Sequence, residues 1–287
     1  MGVIRVIKAP NESKPKVLET RLWAGKINDF AHYSCMMRFL WWLIAVLTAV
    51  PSAQAQWNIF AENLPPAGSW ATYAIGRTDL NPPEQPSEIK LSVAEAGNVN
   101  GQPYVWLTVE PVRWLGSSNK APLHFLVPKD IDRERASKLL QTSAEIVFSD
   151  PVKGSWYMLP EDVASLSQTA GYSTESSLVA EKIPKEKVKL GGKTYSCYRL
   201  KMDSVTVIDP PFVNKQTITM QGTVWRDDST PFGVVQVKWI EQTIKGDKAN
   251  GKQEKIIYLL NQGFDKTPAT PFEHGERYTI FRLLFNR

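Results

Sequence analysis

The stretch QTITMQGTVWRDDSTPFGVVQVKWIEQTI, residues 216–244, decides the fold class because it has the pattern of a β-hairpin. Strand-like sequence covers 216–226 and 233–244, and the RDDSTPFG between them is rich in the Asp, Ser, Pro and Gly that turns favour. Asp227 and Asp228 are adjacent, and adjacent side chains of an extended backbone point to opposite faces. We therefore interpret these two acids as turn residues rather than as an acid–base pair.

Two more hairpins have the same signature. Residues 88–109 alternate apolar and polar side chains on both sides of the turn sequence GNVNGQP, and residues 188–202 are interrupted by Gly191 and Gly192. The sequence predicts further strands at 70–75, 123–127, 145–148 and 255–260.

Helical patterns are few. DRERASKLLQ, residues 132–141, is the clearest, and a second helix is predicted to begin at Pro160, which suits a first helical turn. We expect residues 171–177 and 245–253 to be loops, and 278–285 to be a strand or a short helix.

The fold class follows from this order of elements. With no fixed-period repeat, no βαβ alternation and no GxGxxG after a strand, residues 56–287 are predicted to form a single β-rich α+β domain. We expect a curved antiparallel sheet, or incomplete β-barrel, with a few covering helices.

Residues 36–55, MMRFLWWLIAVLTAVPSAQA, have the pattern of a signal peptide. Arg38 precedes twelve largely apolar residues, which are too few to span a hydrocarbon core of roughly 30 Å comfortably. Ala53-Gln54-Ala55 fits signal peptidase, so we predict cleavage after Ala55, a periplasmic location and no permanent membrane span after cleavage.

Residues 1–35 precede this complete signal peptide and are polar and aperiodic. We interpret them as an over-extended start or a disordered tail, with initiation at Met1, Met36 or Met37 left open. The alternative is a cytoplasmic tail on an uncleaved anchor.

The charge distribution argues against a nucleic-acid partner. Residues 1–55 hold seven of the 34 Lys/Arg and three of the 29 Asp/Glu, which leaves 27 basic and 26 acidic residues in the rest of the chain. A nearly neutral body lacks the positive field that attracts phosphates.

Catalytic and metal-binding motifs are not evident. Beyond residue 55 the chain has two histidines, His124 and His274, and one cysteine, Cys197, without metal-ligand spacing. We interpret His124 as structural or solvent-facing, His274 as a loop residue and Cys197 as a small buried hydrophobe. No catalytic residue, metal site or cofactor is predicted, although a hydrolase remains a third hypothesis because two carboxylates suffice for a glycosidase.

The apolar strands carry more information. YVWLTV, residues 104–109, and VVQVKWI, residues 234–240, are apolar on both faces. Either helices cover both faces of a curved sheet, or one face lines an apolar concavity for an acyl chain or similar ligand. The candidate lining residues are Trp70, Tyr73, Trp106, Val224, Val235, Val237 and Trp239.

Four segments carry a family resemblance: AGSWATYAI, GQPYVWLTVEP, KLGGKTYSCYRLKM and GTVWRDDSTPFGVVQVKW. In this order they resemble uncharacterised bacterial periplasmic proteins that are similar to the lipoprotein-carrier (Lol-type) superfamily, over roughly residues 57–265. The resemblance implies an incomplete, strongly curved antiparallel barrel, with helices as a lid over an apolar interior. It assigns no arginine of this chain to the lid-holding role that an arginine has in classical carriers.

Two hypotheses follow from the sequence. The first is a secreted periplasmic, non-enzymatic protein that binds a lipid-like or other apolar ligand, such as a lipid or a lipoprotein acyl chain, in the concavity of the curved sheet. The second is an envelope scaffold that acts through a protein partner, using exposed sheet edges and residues 171–187.

Overall fold

A computed structural model describes residues 57–82, 85–112, 120–152, 154–211, 213–266 and 272–279. The predicted signal peptide, its cleavage site after Ala55 and the preceding residues lie outside this part of the chain. None of the helices within these ranges has the length and apolar character needed to cross a bilayer.

Strands dominate the described residues. Their bounds are β1 Ser69–Arg77, β2 Ser87–Val99, β3 Gln102–Val112, β4 Ala121–Pro128, β5 Glu145–Asp150, β6 Gly154–Met158, β7 Ser173–Ala180, β8 Glu186–Leu190, β9 Lys193–Ile208, β10 Gln216–Arg226, β11 Val234–Lys245, β12 Lys248–Ala249, β13 Gln253–Phe264 and β14 Glu276–Arg277. The helices are α1, residues 57–61, α2 Arg133–Ser137, α3 Leu139–Thr142 and α4 Pro160–Thr169.

The strands form one open sheet in the order β14-β6-β5-β4-β3-β2-β1-β13-β11-β10-β9-β7. Strands β12 and β8 pair with β11 and β9 beside this path. Two antiparallel meanders, β1–β6 and β9–β13, are joined where β1 pairs with β13, and β14 adds a parallel pair beside β6. The predicted fold class, a β-rich incomplete barrel with few helices, is confirmed.

The turn chemistry explains two of the three predicted hairpins. Val99 pairs with Gln102 across Asn100 and Gly101, which have φ values of 52° and 80°. Positive φ at both central residues gives a turn whose twist matches that of the paired strands. Gly191 and Gly192 connect β8 to β9 in the same way, with φ values of 53° and 78°.

The sheet curves so that the segment after β4 reaches the edge strand β7. Strands β4 and β7 are eight positions apart in the order, which is roughly 38 Å in a flat sheet. Yet Arg133, five residues after β4, donates from Nη1 to the Leu178 carbonyl of β7 at 3.3 Å. Five residues reach at most roughly 17 Å, so only a bent sheet permits this contact. We call the face enclosed by this bend the concave face.

Three local predictions differ from the structure. Residues 171–177 were predicted to be a loop, but residues 173–177 belong to strand β7, because their Ser and Thr side chains suit a solvent-exposed edge strand paired with β9. The helix predicted at 132–141 divides at Lys138 into α2 and α3. In the predicted 245–253 loop, Lys248–Ala249 form β12. Residues 280–285 of the last predicted element lie outside the described chain.

Candidate functional site

Helix α1 packs on the concave face of the sheet. The Phe60 ring lies 4.8 Å from the Tyr73 ring of β1 and 6.4 Å from the Phe232 ring, measured between centroids, and all three side chains are fully buried. Asn58 donates from Nδ2 to the Ser137 carbonyl of α2 at 2.7 Å. The residues just after the predicted cleavage site therefore fill part of the concavity with the protein's own side chains.

Arg226, at the end of β10, ties α1 to the sheet. Its Nη2 donates to the Ile59 carbonyl at 2.6 Å and to Glu62 Oε2 at 3.1 Å. Both charged side chains are buried, 5% and 6% exposed, and Glu62 also ion-pairs with Arg133 at 3.4 Å. Burial raises the pKa of the Glu62 carboxyl, and the two guanidinium groups oppose that rise. This buried charge pair lies on the concave face beside α1.

A pocket of about 450 Å³ opens beside this ion pair. Its walls come from α1 and Glu62, from α2, and from the concave faces of β7 and β9. Its volume falls within the usual range for small-molecule sites. On the other side of Trp57 and Asn58 a cavity of about 10 Å³ remains, which is room for about one water molecule. The larger pocket lies at the β7–β9 end of the concave face.

Five of the seven candidate lining residues lie on the core face, where they are buried. Tyr73 also donates its hydroxyl to the Val234 carbonyl at 3.1 Å. Val224 and Val237 are paired across β10 and β11, and Val235 occupies the bulge beside them. The five are Tyr73, Val224, Val235, Val237 and Trp239.

The other two candidates, Trp70 and Trp106, lie on the opposite face of the sheet and are partly exposed. Trp70 covers Gly263 of β13, where a Cβ would lie 2.5 Å from its ring, and Lys90 Nζ lies 5.6 Å from the ring centroid. The Trp106 ring meets that of Phe272 edge-on at 4.8 Å. None of the seven candidates contributes to the walls of the 450 Å³ pocket. Their role in ligand binding stays a prediction.

Asp227 and Asp228 belong to the 227–233 turn. Asp227 accepts backbone hydrogen bonds from Ser229 at 2.9 Å and Ser196 at 2.7 Å. Partial burial raises its pKa, but these hydrogen bonds outweigh that effect and leave the pKa below its usual value. Asp228 accepts a long bond of 3.5 Å from the Tyr198 hydroxyl. The two acids act as turn residues, as the sequence predicts.

The two histidines and the cysteine have structural surroundings. His124 is buried by stacking on Phe272 at 3.9 Å, and its Nδ1 lies 2.8 Å from the Thr108 hydroxyl. His274 lies 3.4 Å from Glu145. Cys197 is buried as predicted, and burial raises its pKa to about 11. No cluster of metal-ligating side chains occurs among the described residues.

The sequence analysis did not identify the residues around the pocket, chiefly Glu62, Arg226 and Ser204. One signal was available for Arg226, because it follows Val224 by two residues and therefore shares its core face. A charge on a core face indicates a buried partner. Glu62 and Ser204 have no comparable signal, since their surroundings depend on distant elements.

Comparison with known proteins adds little to this geometry. No protein-family model matches the chain, and no curated protein matches it. One solved structure, a candidate exported protein with a YmcC-like fold from Bacteroides fragilis, aligns with 70% of this chain and 98% of its own length. The identity is 11% and the TM-score is 0.33, so the alignment carries no argument here.

Proposed function

We propose that the protein is exported and non-enzymatic, and that it binds one amphipathic, lipid-like ligand on the concave face of its sheet. The observation that carries this proposal is the pocket of about 450 Å³ between α1, α2 and strands β7 and β9. The signal-peptide pattern of residues 36–55 supports export.

The surroundings of the pocket support an amphipathic ligand. Ile59, Leu178 and Met202 form apolar wall segments, while Glu62 and Arg133 provide charges beside them. A ligand with an apolar and a polar part can satisfy both kinds of wall, whereas a simple hydrocarbon leaves the polar groups without partners.

Displacement of helix α1 would give the apolar part of the ligand room to extend along the concave face. Phe60 and Trp57 occupy the concavity next to the pocket, and they belong to a short segment held by Arg226 and Asn58. Displacing this segment exposes a buried aromatic surface on the concave face. The Lol-type resemblance is in accord with such a role for a covering helix.

A fluorescent fatty-acid probe tests the proposal. Ser176 is exposed on β7 and contributes to the pocket wall, so Ser176→Phe fills the pocket without disturbing the core. Ser173, exposed on the same strand and outside the pocket walls, gives the matched control Ser173→Phe. We expect saturable binding by the wild type and by Ser173→Phe, and at least tenfold weaker binding by Ser176→Phe. Absence of saturable binding by the wild type contradicts the proposal.

An envelope scaffold is the second candidate function. The observation that favours it is β7, an eight-residue strand that ends the described sheet and pairs on one side with β9. Such an edge can accept a partner strand. Crosslinking in cells distinguishes the two functions, since a stoichiometric protein partner without bound lipid favours the scaffold.

A further inference from the structure

The 450 Å³ pocket is lined by more polar than apolar residues, although apolar atoms form most of its exposed wall. Eight of the lining residues carry hydroxyl, amide, carboxylate or guanidinium groups, and three are apolar. Among the eight, Ser176 and Ser204 are paired across β7 and β9, and serine hydroxyls donate and accept hydrogen bonds with little bulk. Such a wall suits a ligand that carries hydroxyls beside an apolar part.

The β7–β9 wall is a ladder of cross-strand pairs whose chemistry changes along the strands. Thr174 and Thr206 are paired, and their hydroxyls hydrogen-bond each other at 3.1 Å. The next pair is Ser176 and Ser204, and the one after that is Leu178 and Met202. The wall therefore offers hydroxyls at one level and an apolar surface at the next.

Ser204 has an unsatisfied hydroxyl in this wall. The residue is 5% exposed, and its Oγ has no hydrogen-bond partner within the described parts of the chain. A buried hydroxyl without a partner is costly, so this group favours a ligand that can bond to it. The neighbouring threonine pair, which satisfies itself, shows that the same wall can be built without such a group.

The charges near the pocket disfavour a phosphate. Arg133 lies on the pocket wall together with two carboxylates, those of Glu62 and Glu134. The Glu62 carboxylate already engages Arg133 and Arg226, while Glu134 ion-pairs with Lys138. An anionic group would meet these carboxylates, and Arg133, the one cation among the described lining residues, is already shared with Glu62, whereas neutral hydroxyls can donate to the carboxylates.

From these observations we infer that the pocket binds a neutral polyhydroxylated group, such as a hexose, at the Ser176–Ser204 level, with the adjoining apolar part of the ligand against Leu178 and Met202. The inference rests on the proposed function, since it names the polar part of the same amphipathic ligand.

Titration calorimetry on the purified full-length chain tests it with three probes: octyl glucoside below its micelle concentration, octyl phosphate and methyl glucoside. We expect octyl glucoside to bind at least tenfold more tightly than octyl phosphate. Ser204→Ala removes one hydrogen bond and should weaken octyl glucoside binding by about tenfold. Its thermal stability should not fall, because no protein partner is lost. Ser173→Ala should bind as the wild type does.

The outcomes separate the two proposals. Octyl phosphate binding as tightly as octyl glucoside overturns the hydroxyl-group inference but leaves the lipid-like ligand intact. Methyl glucoside binding as tightly as octyl glucoside supports the hydroxyl-group inference and contradicts a lipid-like ligand. No binding of any probe overturns both. Unchanged octyl glucoside affinity in Ser204→Ala overturns the assignment to the Ser176–Ser204 level.

Discussion

Arg226 Nη2 lies 2.6 Å from the Ile59 carbonyl oxygen, so a side chain at the end of β10 holds α1 on the concave face. The same guanidinium binds the Glu62 carboxylate. One buried arginine thus satisfies both a helix carbonyl and a buried acid beside the pocket. The position of α1, and with it the shape of the pocket, depends on this residue.

Arg226→Met should be strongly destabilising. Removal of one partner leaves the Glu62 carboxylate buried and the Ile59 carbonyl without its donor, at a cost of about 3–5 kcal/mol. Urea denaturation followed by circular dichroism measures the change. Arg133→Met is the control, because Arg133 contacts the same carboxylate from an exposed position and should cost less than about 1 kcal/mol. Equal losses in the two variants would contradict this role of Arg226.

A second substitution sharpens this prediction. Glu62→Gln removes the charge that Arg226→Met leaves unpaired. The double variant should therefore lose less stability than the sum of the losses in the two single variants. A double-mutant cycle measures this coupling. Additive losses would show that the two side chains do not interact in the folded protein.

Acid should destabilise the fold through His124. Burial, with a smaller effect from nearby His274, lowers the pKa of His124 from 6.5 to about 4. As the pH falls, the unfolded chain takes up a proton on His124 before the folded chain does. The contribution of neutral His124 to the free energy of unfolding is therefore fully present above pH 6.5 and is lost as the pH falls towards 4. The loss amounts to about 3 kcal/mol. Urea denaturation at pH 7 and pH 4.5 should show a smaller acid effect in His124→Gln than in the wild type; identical effects would count against this burial.

Gly222 should not tolerate a side chain. It pairs with Trp239, and a Cβ at this position would lie 2.6 Å from Trp239 Cβ and would also meet the Lys238 carbonyl. We expect Gly222→Ala to cost about 1–3 kcal/mol through overpacking. Gly251→Ala, where the space around a Cβ is open, should leave the melting temperature nearly unchanged. Equal melting temperatures for the two variants would refute this packing.

The two turn acids should differ in their contribution to stability. Asp227→Ala removes the acceptor for the backbone amides of Ser229 and Ser196, at a cost of about 1–3 kcal/mol. Asp228→Ala removes one long bond to Tyr198 and should cost less than about 0.5 kcal/mol. Thermal denaturation of both variants checks this order, and the reverse order would be inconsistent with the turn described.

Local sequence patterns predicted most of the strands because alternation and turn residues act over short distances. The Asn100-Gly101 turn and the 227–233 turn are examples, since their side chains and backbone angles carry the information locally. Strand β7 was missed because an exposed edge strand lacks an apolar face. Its pairing with β9 across about 30 residues is set by the sheet rather than by its own pattern.

The candidate site was harder to predict than the fold. The aromatic pattern led to Trp70 and Trp106, which lie on the opposite face, and to Tyr73 and Trp239, which lie in the core. The pocket instead depends on the bend that brings α2 to β7, a contact between Arg133 and Leu178 that no short pattern encodes.

Native mass spectrometry of the protein purified from the cell envelope without detergent tests the central claim most directly. The account predicts one small amphipathic molecule bound per chain in the wild type and in Ser173→Phe, and none in Ser176→Phe. Only the ligand-free mass in all three proteins would contradict the claim that the concave face is a binding site.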